Sequence, residues 1–154
     1  MANQYFECKV KFGRMSEEGV IKSVTENYLV EAVSFTEAEV RITKEMEPFV
    51  SGGSLLSNVS RKKITELIDS DQEVDDKWFR SKINLITLDE EKGKEKLTGT
   101  IHYVKASDIK RAVERLIENM KGTMCNYNIF SVTETKILDV FEYKIPELED
   151  VAKE

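Results

Sequence analysis

The sequence predicts an α+β fold in which a β-β-α-β unit occurs twice, with an approximate twofold axis relating the two copies. The stretch YFECKVKF at residues 5–12 returns as WFRSKINL at residues 78–85, each starting with two aromatics and carrying lysine at its fifth place. The second half overlays the first along nearly its whole length, at a spacing of 73 or 74 residues. A register held over that length, with one insertion and one deletion in expected loops, indicates an internal repeat.

The first strand of each repeat shows the period-two alternation of a half-buried strand. The positions expected to face the core are Phe6, Cys8, Val10 and Phe12 in the first repeat, and Phe79, Ser81, Ile83 and Leu85 in the second. The positions expected to face outward are Tyr5, Glu7, Lys9 and Lys11, and then Trp78, Arg80, Lys82 and Asn84. The turns GRMSEEG and DEEKGKE predict hairpins, and VIKSVTENYLVEA and IHYVKA predict the second strands.

One amphipathic helix is predicted in each repeat. The first begins after Ser34, with Glu37 three residues on as in a capping box, and the second begins near Asp108, another favourable N-cap. The apolar stripes are Phe35, Ala38, Ile42, Met46 and Phe49 in the first helix, and Ile109, Ala112, Leu116 and Met120 in the second. Pro48 and the SGG that follows at residues 51–53 end the first helix, and Gly122 ends the second.

The third strands are predicted in LLSNVSRKKITELI and YNIFSVTETKILDVF, so that the repeats span residues 1–68 and 78–141. Residues 69–77 form a predicted acidic connector, and residues 142–154 a predicted acidic C-terminal tail. A three-stranded sheet with one helix leaves an open edge and a thin core. We therefore expect one helix per repeat to pack on one face of the sheet or sheets, and both repeats to share one core.

The composition is typical of a protein without a membrane segment. The 154 residues contain no apolar run close to the roughly 18 residues that cross a bilayer, and the start MANQYFECK lacks the features of a secretory signal. Two cysteines, Cys8 and Cys125, make no disulfide framework, which predicts a reducing, cytoplasmic setting. The net charge of −6 arises almost wholly from the connector and the tail, so it leaves room for a polyanionic partner.

Catalytic patterns are largely missing from the sequence. It has one histidine, His102, late in a strand, and it has no GxSxG, Walker, GxGxxG, HExxH or CxxC motif. The acids at 69–76 and 147–150 fall in segments whose charge is typical of solvated linkers. The sequence therefore predicts no enzyme, no metal and no cofactor, with a carboxylate-metal nuclease as the alternative of lowest rank.

The runs YFECKVKF and TENYLVEAVSFTEAEVRI, with the later WF and KGTM segments, resemble a family of uncharacterised proteins from Bacteroidales and their phages. The FTEAE stretch at Phe35–Glu39 is the most distinctive piece of this resemblance, which covers most of residues 4–143. The resemblance implies the cytoplasm of a bacterium or of a phage-infected host. It assigns no activity and no binding residues.

The outward face of the first strands predicts a non-enzymatic protein that binds single-stranded nucleic acid. Each copy shows an aromatic followed by cations, and bases stack on flat rings while Lys and Arg follow the phosphates. A basic triplet in the third strand extends this surface in the first repeat alone. The predicted contact residues are Tyr5, Lys9, Lys11, Arg61, Lys62, Lys63, Trp78, Arg80 and Lys82.

A second interpretation uses the same residues differently. Tyr5 and Trp78 are equally suited to cover the far side of a sheet or a subunit interface, since aromatics are favoured in both places. In that case the chain is a homo-oligomeric interaction protein, or it captures a small nucleotide between subunits. The acidic tail is in addition a candidate contact for a protein partner.

Overall fold

The computed structural model describes residues 4–50 and 53–143, and this part of the chain is mixed α+β. It contains two α-helices and two four-stranded sheets. The chain divides into two compact units: a first unit of residues 1–61 with 140–154, and a second unit of residues 62–139. The predicted acidic tail lies outside the described residues from position 144 onward.

The first half of the chain begins with a long hairpin. Its strands are β1 (Gln4–Met15) and β2 (Ile21–Ala32). Helix α1 (Phe35–Met46) follows, with a 3-10 turn at Glu47–Phe49. Strand β3 (Ser54–Lys62) and the short strand β4 (Glu66–Ile68) come next.

The second half has the same order of elements. Strands β5 (Lys77–Asp89) and β6 (Lys94–Ala106) form the hairpin, and helix α2 (Ile109–Met120) follows. Strands β7 (Asn126–Glu134) and β8 (Ile137–Phe141) complete the series. The prediction of a single third strand in each repeat is wrong, because each of these stretches divides into two strands.

The two halves exchange their last strands. The first sheet has the order β3-β1-β2-β8, and the second has the order β7-β5-β6-β4. Strand β4 runs parallel to β6, with Glu66 opposite His102. Each sheet therefore takes three strands from one half and its fourth from the other, so the two compact units do not coincide with the sequence repeats.

The two hairpins share one register under the overlay of the halves. In the first, Gln4 lies opposite Ala32 and Phe6 opposite Val30. In the second, Lys77 lies opposite Ala106 and Phe79 opposite Val104, which are the overlaid positions. The common register extends the match between the halves from sequence to strand pairing. The approximate twofold axis stays a prediction.

Each unit has its own cluster of buried side chains between helix and sheet. In the first unit this cluster is Phe6, Cys8, Val10, Phe12, Val30, Ala32, Ala38, Ile42 and Met46. In the second unit it is Phe79, Ile83, Val104, Ala106, Ala112, Leu116 and Met120. These side chains confirm the inward positions predicted for both first strands, except that Leu85 is only partly buried. A core common to both repeats stays a prediction.

Both helices begin at their predicted caps. The Ser34 hydroxyl accepts a hydrogen bond from the Glu37 backbone N–H at 3.1 Å, and the Asp108 carboxylate accepts one from the Arg111 backbone N–H at 2.8 Å. The predicted stripes are too wide at their ends, because Phe35, Phe49 and Ile109 are 47%, 65% and 55% exposed. These three side chains lie in the first residue of a helix or beyond its last residue, and Phe35 still contacts the sheet, with its ring centre 4.8 Å from that of Phe6.

The described part of the chain has no helix that combines the length and the apolar character needed to cross a membrane.

Candidate functional site

The two aromatic residues predicted to stack on bases, Tyr5 and Trp78, are not exposed to solvent as expected. Trp78 is 1% exposed, so the prediction that it stands free on an outward face is wrong. It lies opposite Lys105 on β6, and its carbonyl oxygen accepts hydrogen bonds from the Thr135 backbone N–H and hydroxyl at 2.9 and 2.8 Å. A tryptophan held and buried in this way supports the fold and offers no ring to a base.

Tyr5, the counterpart of Trp78, is half-buried and has an acidic environment. Burial, followed by the nearby carboxylates of Glu142 and Glu31, raises the pKa of its phenol to about 12. Glu31 lies directly opposite Tyr5 on β2. Negative charges at this position repel phosphates, so Tyr5 is a poor contact for a nucleic acid.

The predicted cations of the first unit do not form one surface. Lys9 and Lys11 are exposed on β1, whereas the guanidinium of Arg61 lies 5.8 Å from the ring centre of Phe6 and 5.4 Å from that of Phe35. Since Phe6 belongs to the cluster beneath the helix, Arg61 lies on the helix side of the sheet and not on the side of Lys9. The remaining members of the basic triplet are half-buried Lys62 and exposed Lys63, which follows the end of β3.

The predicted cations of the second unit lie beside a solvent-exposed aromatic residue, Phe130. Arg80 and Lys82 are exposed on β5. The ammonium of Lys82 lies 5.3 Å from the ring centre of Phe130, and Phe130 is 66% exposed. This group, Arg80, Lys82 and Phe130, is called the Phe130 face below. It has the chemistry predicted for Trp78 but takes its aromatic from the neighbouring strand.

A β-bulge places Phe130 on this face. Lys82 lies opposite Ser131, and the next residue, Ile83, lies opposite Ile129, so Phe130 is the additional residue on β7. Ile129 and Val132 both pack against the core of the second unit. In a regular strand, residues three apart point to opposite faces of the sheet, so both cannot reach the core. The bulge brings both to the core side and turns the extra residue, Phe130, outward.

The sequence carries a signal for this bulge that strand alternation alone misses. In the first unit Leu56 and Val59 also pack against the core at the same spacing of three. At the overlaid position of Phe130 the first half has Ser57. The spacing of three between core residues in the third strand therefore indicates an outward residue between them, which is Phe130 in the second unit.

The cations of the Phe130 face are available for phosphates. Among the described residues the salt bridges involve Arg14, Lys77, His102, Arg111 and Lys121, and Arg80 and Lys82 take no part in them. In the first unit Glu7 stands where the second has Arg80, and its carboxylate accepts a hydrogen bond from the Asn27 amide at 3.0 Å. The face is therefore basic in the second unit and mixed in the first.

The predicted acidic connector contains a buried acid, which corrects its interpretation as a wholly solvated linker. Asp75 is 1% exposed and receives the Arg111 guanidinium on both carboxylate oxygens, with a distance of 3.0 Å between Nη2 and Oδ2. The hydrogen bonds from Arg111 lower the pKa of Asp75 to about 2, against the opposing effect of burial, and Ser70 donates a further bond. Asp75 thus fixes the connector to α2.

His102, predicted as a non-catalytic strand residue, is 5% exposed within β6. It lies beside Ser81, whose hydroxyl donates to the His102 carbonyl oxygen at 2.8 Å. Within residues 4–50 and 53–143, no three or more His, Cys, Asp and Glu side chains are grouped to hold a metal ion.

A family model described as Domain of unknown function (DUF4494) matches residues 4–143. No curated protein matches the chain. The family match confirms the expected resemblance to an uncharacterised family. The restriction of that family to Bacteroidales and their phages stays a prediction.

Proposed function

We propose that this chain, which belongs to the family described as Domain of unknown function (DUF4494), binds single-stranded nucleic acid. We infer this function from the geometry of the chain itself. The proposed contact surface is the Phe130 face of the second unit. The observation that carries the proposal is the exposed phenyl ring of Phe130 beside the Lys82 ammonium and the adjacent Arg80.

The physical chemistry of the Phe130 face suits an unpaired strand better than a duplex. A base stacked on an exposed ring contributes about 1–3 kcal/mol, and paired bases inside a duplex present no free flat side. Arg80 and Lys82 are two residues apart on β5, so their side chains leave the same side of the sheet and follow a backbone along the strand direction. The face contains no nucleophile or base, and we propose no chemical step for it.

We also propose that the chain is an internal duplication and that its second copy carries the binding face. The shared hairpin register and the shared spacing of core residues in β3 and β7 support the duplication. The first copy has Ser57, Lys9 and Glu7 where the second has Phe130, Lys82 and Arg80. It therefore retains one of the three features that the binding of a single strand requires.

Replacing the exposed ring tests the proposal. Phe130→Ala should weaken binding of a fluorescently labelled oligothymidylate of about 15 nucleotides by about 5- to 150-fold, the equivalent of one lost stacking contact. The measurement is fluorescence anisotropy at low salt. Phe49→Ala is the matched control, because Phe49 is 65% exposed, as Phe130 is to 66%, and belongs to the first unit.

The contribution of the cations is tested in the same binding measurement by substitution of Lys82. Lys82→Ala should weaken binding and reduce its salt dependence, since each phosphate contact contributes a slope of about −0.7 for a single strand. Lys9→Ala, at the overlaid position of the first unit, should leave both unchanged. Equal losses in Phe130→Ala and Phe49→Ala, or no binding by the unmodified protein at low salt, would refute the proposal. A change of molecular mass in Phe130→Ala would instead identify the face as a contact between subunits.

A further inference from the structure

The second unit contains a cavity of about 180 Å³ on the side of its sheet that carries the helix. It is separate from the Phe130 face, because His102 and Leu85 belong to the helix side of the sheet and Lys82 to the other. The cavity is lined by Thr65, Glu66, Leu85, Thr100, His102, Asn119, Met120 and Thr123.

Some of the hydrogen-bond donors that line the cavity are already used. The Thr100 hydroxyl donates to the Ile83 carbonyl oxygen at 3.0 Å, so the 3.0 Å contact between Thr100 and His102 Nε2 is a bond that the imidazole donates. The Asn119 amide nitrogen donates to Glu66 Oε2 at 3.1 Å. The Glu66 carboxylate is the charged acceptor that the lining offers to a ligand.

The imidazole of His102 leaves one nitrogen without a hydrogen bond. Nδ1 is buried and lies 3.5 Å from Glu66 Oε2, which is too long for a hydrogen bond. Burial lowers the pKa of His102, and the opposing effect of Glu66 is smaller. The lowered pKa leaves the imidazole uncharged at neutral pH, so it does not offset the charge of the Glu66 carboxylate.

The charge of the lining selects the sign of a ligand. Glu66 carries the single negative charge of the lining at neutral pH, and the lining contains no Lys or Arg. An anion placed here meets a carboxylate without a compensating cation, which is strongly unfavourable in a partly buried site. A cation that donates several hydrogen bonds meets the opposite conditions.

The size of the cavity limits the ligand to a small molecule. A volume of about 180 Å³ equals that of about six water molecules in the liquid, and it is smaller than the pockets of about 300–1,000 Å³ that hold drug-sized ligands. Leu85 and Met120 supply apolar surface for a short hydrocarbon chain.

We infer that this cavity is a binding site for a small aliphatic cation, with an ammonium or guanidinium group on the Glu66 carboxylate and an alkyl chain against Leu85 and Met120. The first unit has bulkier residues at the overlaid positions, with Tyr28 for His102, Glu26 for Thr100 and Phe12 for Leu85. Tyr28 stacks on Phe141 there, with 5.6 Å between ring centres. The site therefore belongs to the second unit.

Calorimetric titration of the full chain tests this site, with 1,4-diaminobutane as the probe and butyrate and 1-butanol as charge controls. The unmodified protein should bind the diamine and neither control. Glu66→Gln should weaken diamine binding by about tenfold or more, the loss expected for a charged hydrogen bond. Glu118→Gln removes a carboxylate of α2 that pairs with Lys121 in solvent, and this variant should bind as the unmodified protein does.

A second variant blocks the cavity by volume. Leu85→Phe introduces the residue that the first unit has at this position, and it should abolish diamine binding while oligothymidylate binding stays unchanged. Binding of butyrate as strong as that of the diamine, no diamine binding at about 10 mM, or equal affinity in Glu66→Gln would overturn the inference. None of these outcomes depends on whether the Phe130 face binds nucleic acid.

Discussion

Asp75 and Trp78 lie three residues apart in and beside a stretch with the composition of a solvated connector, yet both are 1% exposed. Composition describes a segment, whereas burial is decided residue by residue according to which partners are within reach. Asp75 finds Arg111 and Ser70 and is buried as a paired charge. The Arg111 partner lies 36 residues away, so no local pattern could have indicated it.

The ion pair between Asp75 and Arg111 should make the free energy of unfolding depend on pH at low pH. Its pKa is about 2 in the folded state and near 3.8 ordinarily, so the unfolded chain takes up this proton first as the pH falls. The stabilisation is complete above about pH 4 and is lost progressively toward pH 2. Asp75→Asn should therefore be less stable than the unmodified protein at pH 7, and the difference should shrink at about pH 2–3, as measured by urea denaturation.

The neighbouring acid provides the control for this prediction. Asp76 carries the same charge but its side chain is 63% exposed and contacts the solvent-facing Lys77. Asp76→Asn should have almost no effect on stability, as expected for a surface pair. A pH dependence that is the same in Asp75→Asn and in the unmodified protein would contradict the role given to Asp75.

At the scale of elements, the exchange of strands β4 and β8 is the feature that the sequence indicates least. Helix starts, helix stripes and hairpins follow from local capping chemistry and periodicity, and these predictions are confirmed except for the exposed stripe residues Phe35, Phe49 and Ile109. The stretch SLLSNVSRKKITELI at residues 54–68, which holds β3 and β4, contains no Gly or Pro to indicate a break. A strand that continues and a strand that changes sheet have the same pattern, so the local sequence cannot distinguish them.

The exchanged strands make equivalent contacts in both units. Ile68 and Phe141, which overlay in sequence, each pack against the core of the unit that receives them. The Arg41 guanidinium donates to the Glu142 carbonyl oxygen at 3.2 Å, and the Arg115 guanidinium to the Asp69 carbonyl oxygen at 2.7 Å. Each helix thus holds the end of the strand contributed by the other half.

Removal of β8 should weaken the first unit selectively. A chain that ends at residue 136 leaves β2 as an edge strand and removes Phe141 from the first core, so amides of β2 should exchange faster with deuterium. Amides of β6 should keep their protection. A chain that ends at residue 143 serves as the control, and mass spectrometry of peptides from both hairpins gives the rates.

Unchanged protection of β2 in the shorter chain would contradict the assignment of β8 to the first sheet. Equal loss of protection in β2 and β6 would contradict the expectation that β8 stabilises the first sheet selectively.

At the scale of the whole molecule, a net charge of −6 is compatible with a nucleic-acid interface because the charge is unevenly distributed. One acid of the connector is neutralised internally by Arg111, while Arg80 and Lys82 stay exposed. Near a surface, the local field within about 10 Å governs the approach of a phosphate more than the total charge does.

The residues of the Phe130 face could be predicted from the sequence in part. Period-two alternation correctly predicts that Arg80 and Lys82 face outward, because it depends only on backbone geometry. The same alternation wrongly predicts that Trp78 is exposed. It shows on which side of the sheet a side chain lies, but it does not show whether other residues cover that side. The alternation does not predict that Phe130 faces outward, because a β-bulge interrupts the period of two at this residue.

Photo-cross-linking of an oligonucleotide that contains 5-iodouracil tests the binding face most directly, because it joins a base to the side chain on which it stacks. After proteolysis, mass spectrometry should place the cross-link on Phe130, and it should disappear in Phe130→Ala. Cross-links confined to the other exposed rings, Phe35 or Phe49, would contradict the assignment of the site to the second unit.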